Sequence, residues 1–476
     1  MNHNTDRFTG TGETVRRLFV LGFALCGLTL FVLPAASQSD EDAMFQDPIV
    51  ESDSDGSDAS DDGNGGDNGD LDADFSAAML TTEETRIGGR YRFALRPTFS
   101  WNELESLSQV DGWPEYTFET ELSTQVYLDA RPSADFRVYA EADVSYPFTA
   151  APATGNEPAR EFDDIVTITE LFSDFTIGDA LFLRGGKHTV TWGVGYFFSP
   201  ADIINLERID PEDPEADREG PVNVKAQLPI STTNLYLYVL PPVRDQEYPA
   251  VAPKGEVVVG PFEVGLGGFW RYEEDPAAML TAEGTVGDFS LFGEAVVLAG
   301  TDRTYVREVT PTLENPLGLE TYMKDEAVFN GTVGARYGYS DVEGRINLNI
   351  TAQYLYNGEG YTDPDVLSEN RAAALALIGE GDLSASDLTQ PGQHYGALSA
   401  GLRNILESDV SLQTFWYADI LAATGQLSAD LSYQFTTELS ARVGARYLYG
   451  ESGAEFTPTG QRLGFEVSFD VGSGRF

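Results

Sequence analysis

Beyond residue 85 the apolar side chains recur at every second position, the spacing of an extended strand with one face in an apolar medium and the other in water. In residues 345–354 every even position is apolar and every odd one polar. Leu463, Phe465, Val467, Phe469 and Val471 alternate in the same way with Arg462, Gly464, Glu466, Ser468 and Asp470. Phe136, Val138, Ala140, Ala142 and Val144 alternate with Arg137, Tyr139, Glu141, Asp143 and Ser145. The pattern predicts about eighteen strands of roughly ten residues, near 86–100, 116–130, 135–146, 163–177, 180–192, 221–229, 232–241, 254–260, 262–272, 277–287, 289–299, 327–339, 344–356, 394–404, 409–419, 427–437, 439–449 and 461–471. Alternation is poor around Ile165, Leu181 and Leu412, so facing there is open. Residues near 366–378, with Ala372, Ala373, Ala374 and Leu375 together, read as a short loop helix that either caps the structure or folds into it.

The connections sort by parity. Even-numbered strands end in tight turns such as Gly178-Asp179, Gly260-Pro261, Gly287-Asp288 and Ser340-Asp341. Most odd-numbered strands end in long segments, of which 147–162, 193–220, 242–253, 300–326 and 357–393 are the clearest. Short turns at one end and long loops at the other describe a bacterial membrane barrel; a soluble sandwich has no reason to sort its loops. Lipid offers no hydrogen-bond partner to a sheet edge, so a spanning sheet must close. The expected fold is therefore all-β: a transmembrane antiparallel β-barrel of about eighteen strands (16–18), with both termini in the periplasm. Tyr337 with Tyr339, Tyr354 with Tyr356 and Tyr447 with Tyr449 fall at strand ends, where an aromatic girdle lies.

The N-terminus supplies the compartment. Arg16 and Arg17 precede an apolar run from Leu18 to Leu33, and small residues follow to Ser37. That is a secretory signal peptide, residues 1–37, and the run is short of the ~20 residues a spanning helix needs. Residues 38–75 are rich in Asp, Ser and Gly and hold too little apolar surface to offset ordering entropy. They read as a disordered periplasmic tether; calcium binding is the weaker alternative, since the Glu expected at the twelfth position of a calcium loop is missing. The barrel then occupies residues 76–476, and the outer membrane of a Gram-negative cell is the expected location.

Composition narrows the chemistry. The chain has 77 acidic against 29 basic side chains and a net charge of −48, which excludes a nucleic-acid partner. From residue 76 onward there are still 61 acidic and 26 basic residues, so cations are expected to be favoured at the mouth. The single cysteine, Cys26, lies in the apolar leader, leaving no disulfide or thiol chemistry in the mature chain. Beyond the leader the histidines are His188 and His394, and neither sits beside a serine motif. No enzyme activity, metal or cofactor is expected.

The run Leu183-Arg184-Gly185-Gly186-Lys187-His188-Thr189-Val190-Thr191-Trp192-Gly193 resembles the Arg-x-Gly-(Lys/Arg)-Gln-x-x-x-Trp-Gly stretch of outer-membrane porin families, the phosphate-selective porin-like and alginate-export-like barrels among them. Here Gly186 is an extra residue and His188 replaces the usual Gln. The resemblance implies a porin-like barrel whose motif residues Arg184, Lys187, Trp192 and Gly193 lead into a long loop. It selects no substrate.

Strand parity directs Arg90, Arg92 and Arg96 of the first strand into the lumen, with Arg442, Arg446 and Arg462 of the last two strands. First and last strands are neighbours in a closed barrel, so these arginines are expected to share one wall. Glu119, Glu121, Asp129, Arg137, Glu141 and Asp143 face the same space, and Arg336 and Arg345 form a smaller group. Walls of charge set selectivity in pores, whereas facing Arg and Glu side chains also pair simply to stiffen a filled barrel. The expected partners are outer-membrane lipid, small solutes or ions, and the insertion machinery through a C-terminal Phe476. Passive diffusion of small hydrophilic or ionic solutes is the leading expectation; a substrate-specific transporter and a plugged surface adhesin or scaffold are the alternatives.

Overall fold

The computed structural model describes residues 84–148 and 165–475 apart from residues 179, 217, 244–247, 302, 314, 325, 342–344, 364 and 406–407. The leader, the tether and Phe476 lie outside the described residues. Among the described residues twenty strands form, eighteen of them in one closed antiparallel sheet. These are β1 (Glu84–Leu104), β2 (Glu115–Ser133), β3 (Phe136–Pro147), β4 (Val166–Ile177), β5 (Leu181–Lys187), β6 (Val222–Ile230), β7 (Thr233–Leu240), β8 (Ala250–Val259), β9 (Phe262–Arg271), β10 (Ala277–Val286) and β11 (Phe289–Leu298). After a hairpin of β12 (Tyr305–Glu308) and β13 (Leu319–Tyr322), the wall resumes with β14 (Val328–Ser340), β15 (Asn347–Asn357), β16 (His394–Arg403), β17 (Val410–Asp419), β18 (Thr424–Thr436), β19 (Leu439–Tyr449) and β20 (Gln461–Arg475).

Each wall strand pairs with its sequence neighbours, β11 pairs with β14, and β1 pairs with β20 to close the ring. The eighteen strands expected from periodicity correspond one to one with the eighteen wall strands. The largest boundary correction is at β5, which stops at Lys187, so residues 188–192 are not strand; β8 begins four residues earlier than expected, β15 three later, and β20 ends four later. The closing pair contains a bulge, where Tyr91 faces Gly474 but Phe93 faces Val471. Gly472 lies just there with φ +69°, a backbone that glycine adopts without strain.

Burial is inverted relative to a soluble protein. Leu266, Val333 and Leu427 are 66%, 61% and 51% exposed, while Asp174, Lys225 and Gln353 are 0%, 3% and 4% exposed. Register places the exposed apolar set on the outer face and the buried polar set on the inner face, as a membrane barrel requires. Exposed aromatics edge the band, with Phe289, Tyr339 and Phe435 at the short-turn end and Trp270, Tyr272 and Phe329 at the long-loop end.

At the long-loop end β12 and β13 pack with α1 (Asp365–Glu369) and α2 (Arg371–Glu380). Their shared core is Tyr305, Val306, Leu319, Tyr361, Ala374, Leu377 and Leu383. The expected helix is therefore present, split in two, and it packs with the hairpin at the long-loop end. Gly381, in the left-handed conformation, ends α2 by donating to Ile378 and Leu377 carbonyls.

Candidate functional site

Residues 188–221, between β5 and β6, turn into the barrel. Val190, Trp192, Ala201 and Ile204 pack on inner-face Tyr236, Tyr238, Leu240, Met279 and Val296. Phe197 and Phe198 pack farther round, on Leu355, Tyr395, Phe415 and Tyr417. The loop thus covers the inner face from β7 to β17.

Side chains of the wall fasten it. Glu294 of β11 accepts from the backbone N–H of Val194 (2.6 Å) and Gly195 (2.6 Å), from Ser199 Oγ (2.9 Å), and from Ala201 N–H (2.8 Å). Gln353 of β15 accepts from Phe197 N–H at 2.7 Å and donates to Phe198 O at 2.6 Å. Gly193 is needed here because a methyl group on it would sit 1.9 Å from Ser199 Oγ and 2.5 Å from Glu294 Oε1. Lys254 Nζ donates to Trp192 O at 2.8 Å and pairs with Glu256 at 2.5 Å. Farther along the loop Asp202 pairs with Arg218, and burial pushes the Asp202 carboxyl above the usual carboxylate range against that attraction.

The motif divides between wall and loop. Arg184 stays on β5, grips Asp174 through Nε (2.7 Å) and Nη2 (3.1 Å), and lies 4.0 Å over Phe172. Lys187 pairs with Glu219 at 2.5 Å, tying the end of β5 to the return of the loop. Trp192 is 1% exposed and meets Tyr238 edge to face at 5.1 Å, inside the lumen rather than on a strand.

The other predicted residues gather mostly around the closure. Arg92 Nε donates to Asp470 Oδ1 at 2.6 Å across β1 and β20. Arg96 stands opposite Glu119 and 3.5 Å from Glu121. Arg90 stands opposite Gln125. Arg442 and Arg446 flank Gly444, which faces Asp430, and Arg462 faces Leu448. Arg446 also reaches Glu212 of the inward loop at 2.5 Å. On β2 to β4, Asp129 holds Arg137 (2.8 Å) and Arg131 (3.0 Å), and Arg137 approaches Asp174 at 3.7 Å. Glu141 accepts from Tyr139 OH (2.7 Å), Gln125 and Thr169, each at 3.0 Å. Asp143 faces Gln125 and Thr167.

Two residues stand apart. Arg336 lies beneath the loop, 4.5 Å over Tyr196 and 5.3 Å over Phe292. Arg345 precedes β15 and pairs with Asp341 at 3.0 Å across the turn, off the wall strand on which parity had put it. The two do not form a group. Sequence reasoning overlooked Glu294 and Gln353; the signal was a lone carboxylate on an inner face otherwise holding Phe292 and Val296.

Among the described residues no cluster of three or more His, Cys, Asp or Glu side chains is placed to hold a metal ion.

No family model matches the chain, and no curated protein matches it in sequence. Solved structures share its barrel form. OccK9 of Pseudomonas aeruginosa is similar over 83% of this chain and 99% of its own, at 8% identity and TM-score 0.46. OccAB3 of Acinetobacter baumannii covers 82% and 99%, at 9% identity and TM-score 0.43. Wzi of Escherichia coli, a carbohydrate-binding outer-membrane β-barrel involved in group 1 capsule assembly, covers 80% and 84%, at 9% identity and TM-score 0.42. At such values the likeness carries no function across.

Proposed function

We propose that the chain is an outer-membrane channel of a Gram-negative cell, with both termini periplasmic, through which small hydrophilic or ionic solutes diffuse. One observation carries this reading: on the inner face near the closure, Arg90, Glu119, Arg442, Arg446 and Arg462 are exposed. A filled scaffold barrel would bury its inner face all round. Exposed inner-face charge borders water, and in a low-dielectric surround it acts strongly on a passing ion. The loop narrows that water space from the opposite side and meets the arginine wall at the Arg446–Glu212 pair. This favours, as a second reading, a channel restricted to one class of solute. Residues 1–37 as leader, 38–75 as tether and Phe476 as the insertion signal belong to the same proposal.

Single-channel conductance of the refolded mature protein tests it, with reversal potentials under a salt gradient for wild type and for Arg92→Glu with Arg442→Glu. Steady conductance, with ion preference moving toward cations in the double variant, is the expected result. A barrel silent in every salt would sink the channel reading.

A further inference from the structure

A cavity sits at the long-loop ends of β1, β2, β19 and β20; one of its lining residues, Phe456, packs against the cluster that holds Phe197 and Phe198 of the inward loop. The cavity is a half-open cleft of about 610 Å³, a volume within the range of about 300–1,000 Å³ that pockets for drug-sized ligands occupy. Trp101, Trp113 and Phe456 contribute aromatic surface to its lining. The Trp101 indole donates to Gly112 O at 3.2 Å, which holds the β1–β2 loop over the cavity. Trp113 on that loop is 73% exposed.

The polar lining mixes acceptors and donors. Glu103, Asp111 and Glu115 bring carboxylates, and Arg462 with Thr459 brings donors. Asn102 donates to Glu115 at 2.6 Å, while its Oδ1 is buried with no hydrogen-bond partner among the described residues. Glu103 is held at φ +58°, a left-handed backbone unusual for this residue, at the point where β1 ends. Strain of this kind persists where surrounding structure imposes it, often at binding positions.

We infer that this cavity binds a neutral saccharide of two or three rings. The ligand must present a flat apolar face to indole rings and must both donate and accept hydrogen bonds along its edge, as a pyranose does. A primary alkylammonium ion donates but cannot accept from Arg462 or Thr459, and a quaternary one neither donates nor accepts. An acidic sugar meets three carboxylates against one arginine and is repelled. The site does not require an open pore, so binding and conduction fail or succeed separately.

The test is equilibrium titration of the refolded protein in a polyoxyethylene detergent, which carries no sugar headgroup. Maltotriose, cellotriose, N,N′,N″-triacetylchitotriose, trigalacturonate and tetraethylammonium are each followed by tryptophan emission and by heat. At least one neutral trisaccharide is expected to bind saturably, trigalacturonate not at all. Trp113→Ala should weaken the bound sugar about tenfold, the loss of one aromatic contact, and Asp111→Asn should weaken it less. Both positions are exposed loop residues, and heat-modifiable gel migration verifies that the barrel is folded. Silence of all three neutral sugars, binding unchanged in Trp113→Ala, or equal binding of trigalacturonate would each overturn the assignment. Tetraethylammonium binding with the sugars silent would also overturn it, in favour of an organic-cation site.

Discussion

On β1, Arg92 keeps 37% of its side-chain surface in contact with solvent and shares one carboxylate bond with Asp470. On β11, Glu294 is an inner-face charge as well, yet it is 5% exposed, and its two oxygens accept from three backbone N–H groups and a hydroxyl. The difference follows from what lies in front of each. Near the closure the wall faces open lumen, where water screens charge and a loose ion pair costs little. From β7 to β17 the wall faces the inward loop, where an unpaired charge would be prohibitive. Near the closure the wall therefore displays Arg90, Arg442, Arg446 and Arg462, whereas β11 uses Glu294 to fix the loop; between them the buried and half-buried charges of β2 to β4, Asp129, Arg131, Arg137 and Asp174, pair among themselves.

The largest effect is expected from Glu294→Ala, which removes the common acceptor of Val194, Gly195, Ser199 and Ala201 and leaves buried donors unsatisfied. Each orphaned group costs about 1–3 kcal/mol, so the loop tip should leave the wall. Conductance should rise, and proteases should nick residues 193–216, which wild type protects. If conductance and protection stay as in wild type, the two halves of the wall do not differ in the way described.

Glu455, in the β19–β20 loop, offers the next effect. Burial, joined by Asp419, pushes its carboxyl up to about 7, against the opposing pull of the Tyr395 hydroxyl (2.8 Å to Oε2) and the more distant Arg303. Because the folded value lies above the unfolded one, the stabilising contribution is complete below the unfolded value of about 4.5 and is lost as pH rises through about 7. The shift corresponds to about 3 kcal/mol. Hydrogen exchange in residues 450–460 should therefore slow as pH falls from about 8 to about 5 after correction for intrinsic rates, and Glu455→Gln should remove the dependence. A flat profile in wild type would count against the buried carboxyl as its cause.

The wall was legible because lipid and water impose opposite demands on alternate residues, and that demand is written at every second position. Arg462 to Val471 shows it without interruption. The loop was less legible. Its docking left a mark all the same: Thr233–Leu240 is apolar on both faces, with Leu235, Leu237 and Val239 exposed outward and Tyr236, Tyr238 and Leu240 buried inward. In a barrel with a wet lumen, a strand apolar on both faces signals that something covers it inside. The fasteners were hidden because Glu294 and Gln353 act on the backbone of residues 93 to 157 positions away, and backbone donors carry no sequence signature. Arg345 misled because alternation continued two residues past the start of β15, into the turn.

Gly193→Ala probes the same docking more gently. Its new methyl collides with Ser199 Oγ and Glu294 Oε1, and overpacking of this kind costs about 1–3 kcal/mol. A partial rise in conductance is expected, smaller than that of Glu294→Ala. Combining the two should add little, because both break one contact. Full additivity would mean that Gly193 acts elsewhere.

The smallest effect belongs to the place where the halves touch. Arg446 Nη2 lies 2.5 Å from Glu212 Oε2, but the side chains are 54% and 35% exposed. An exposed pair is worth about 0–1 kcal/mol, and salt screens it. A double-mutant cycle of Arg446→Ala and Glu212→Ala should thus show little coupling in loop protection against protease. The two substitutions should instead move ion preference in opposite directions, Arg446→Ala toward cations and Glu212→Ala toward anions, since each leaves its partner's charge facing the pore. Strong coupling in loop protection, with no change in reversal potential, would place this pair with Glu294 as a fastener and move the border between the two halves to the far side of β19.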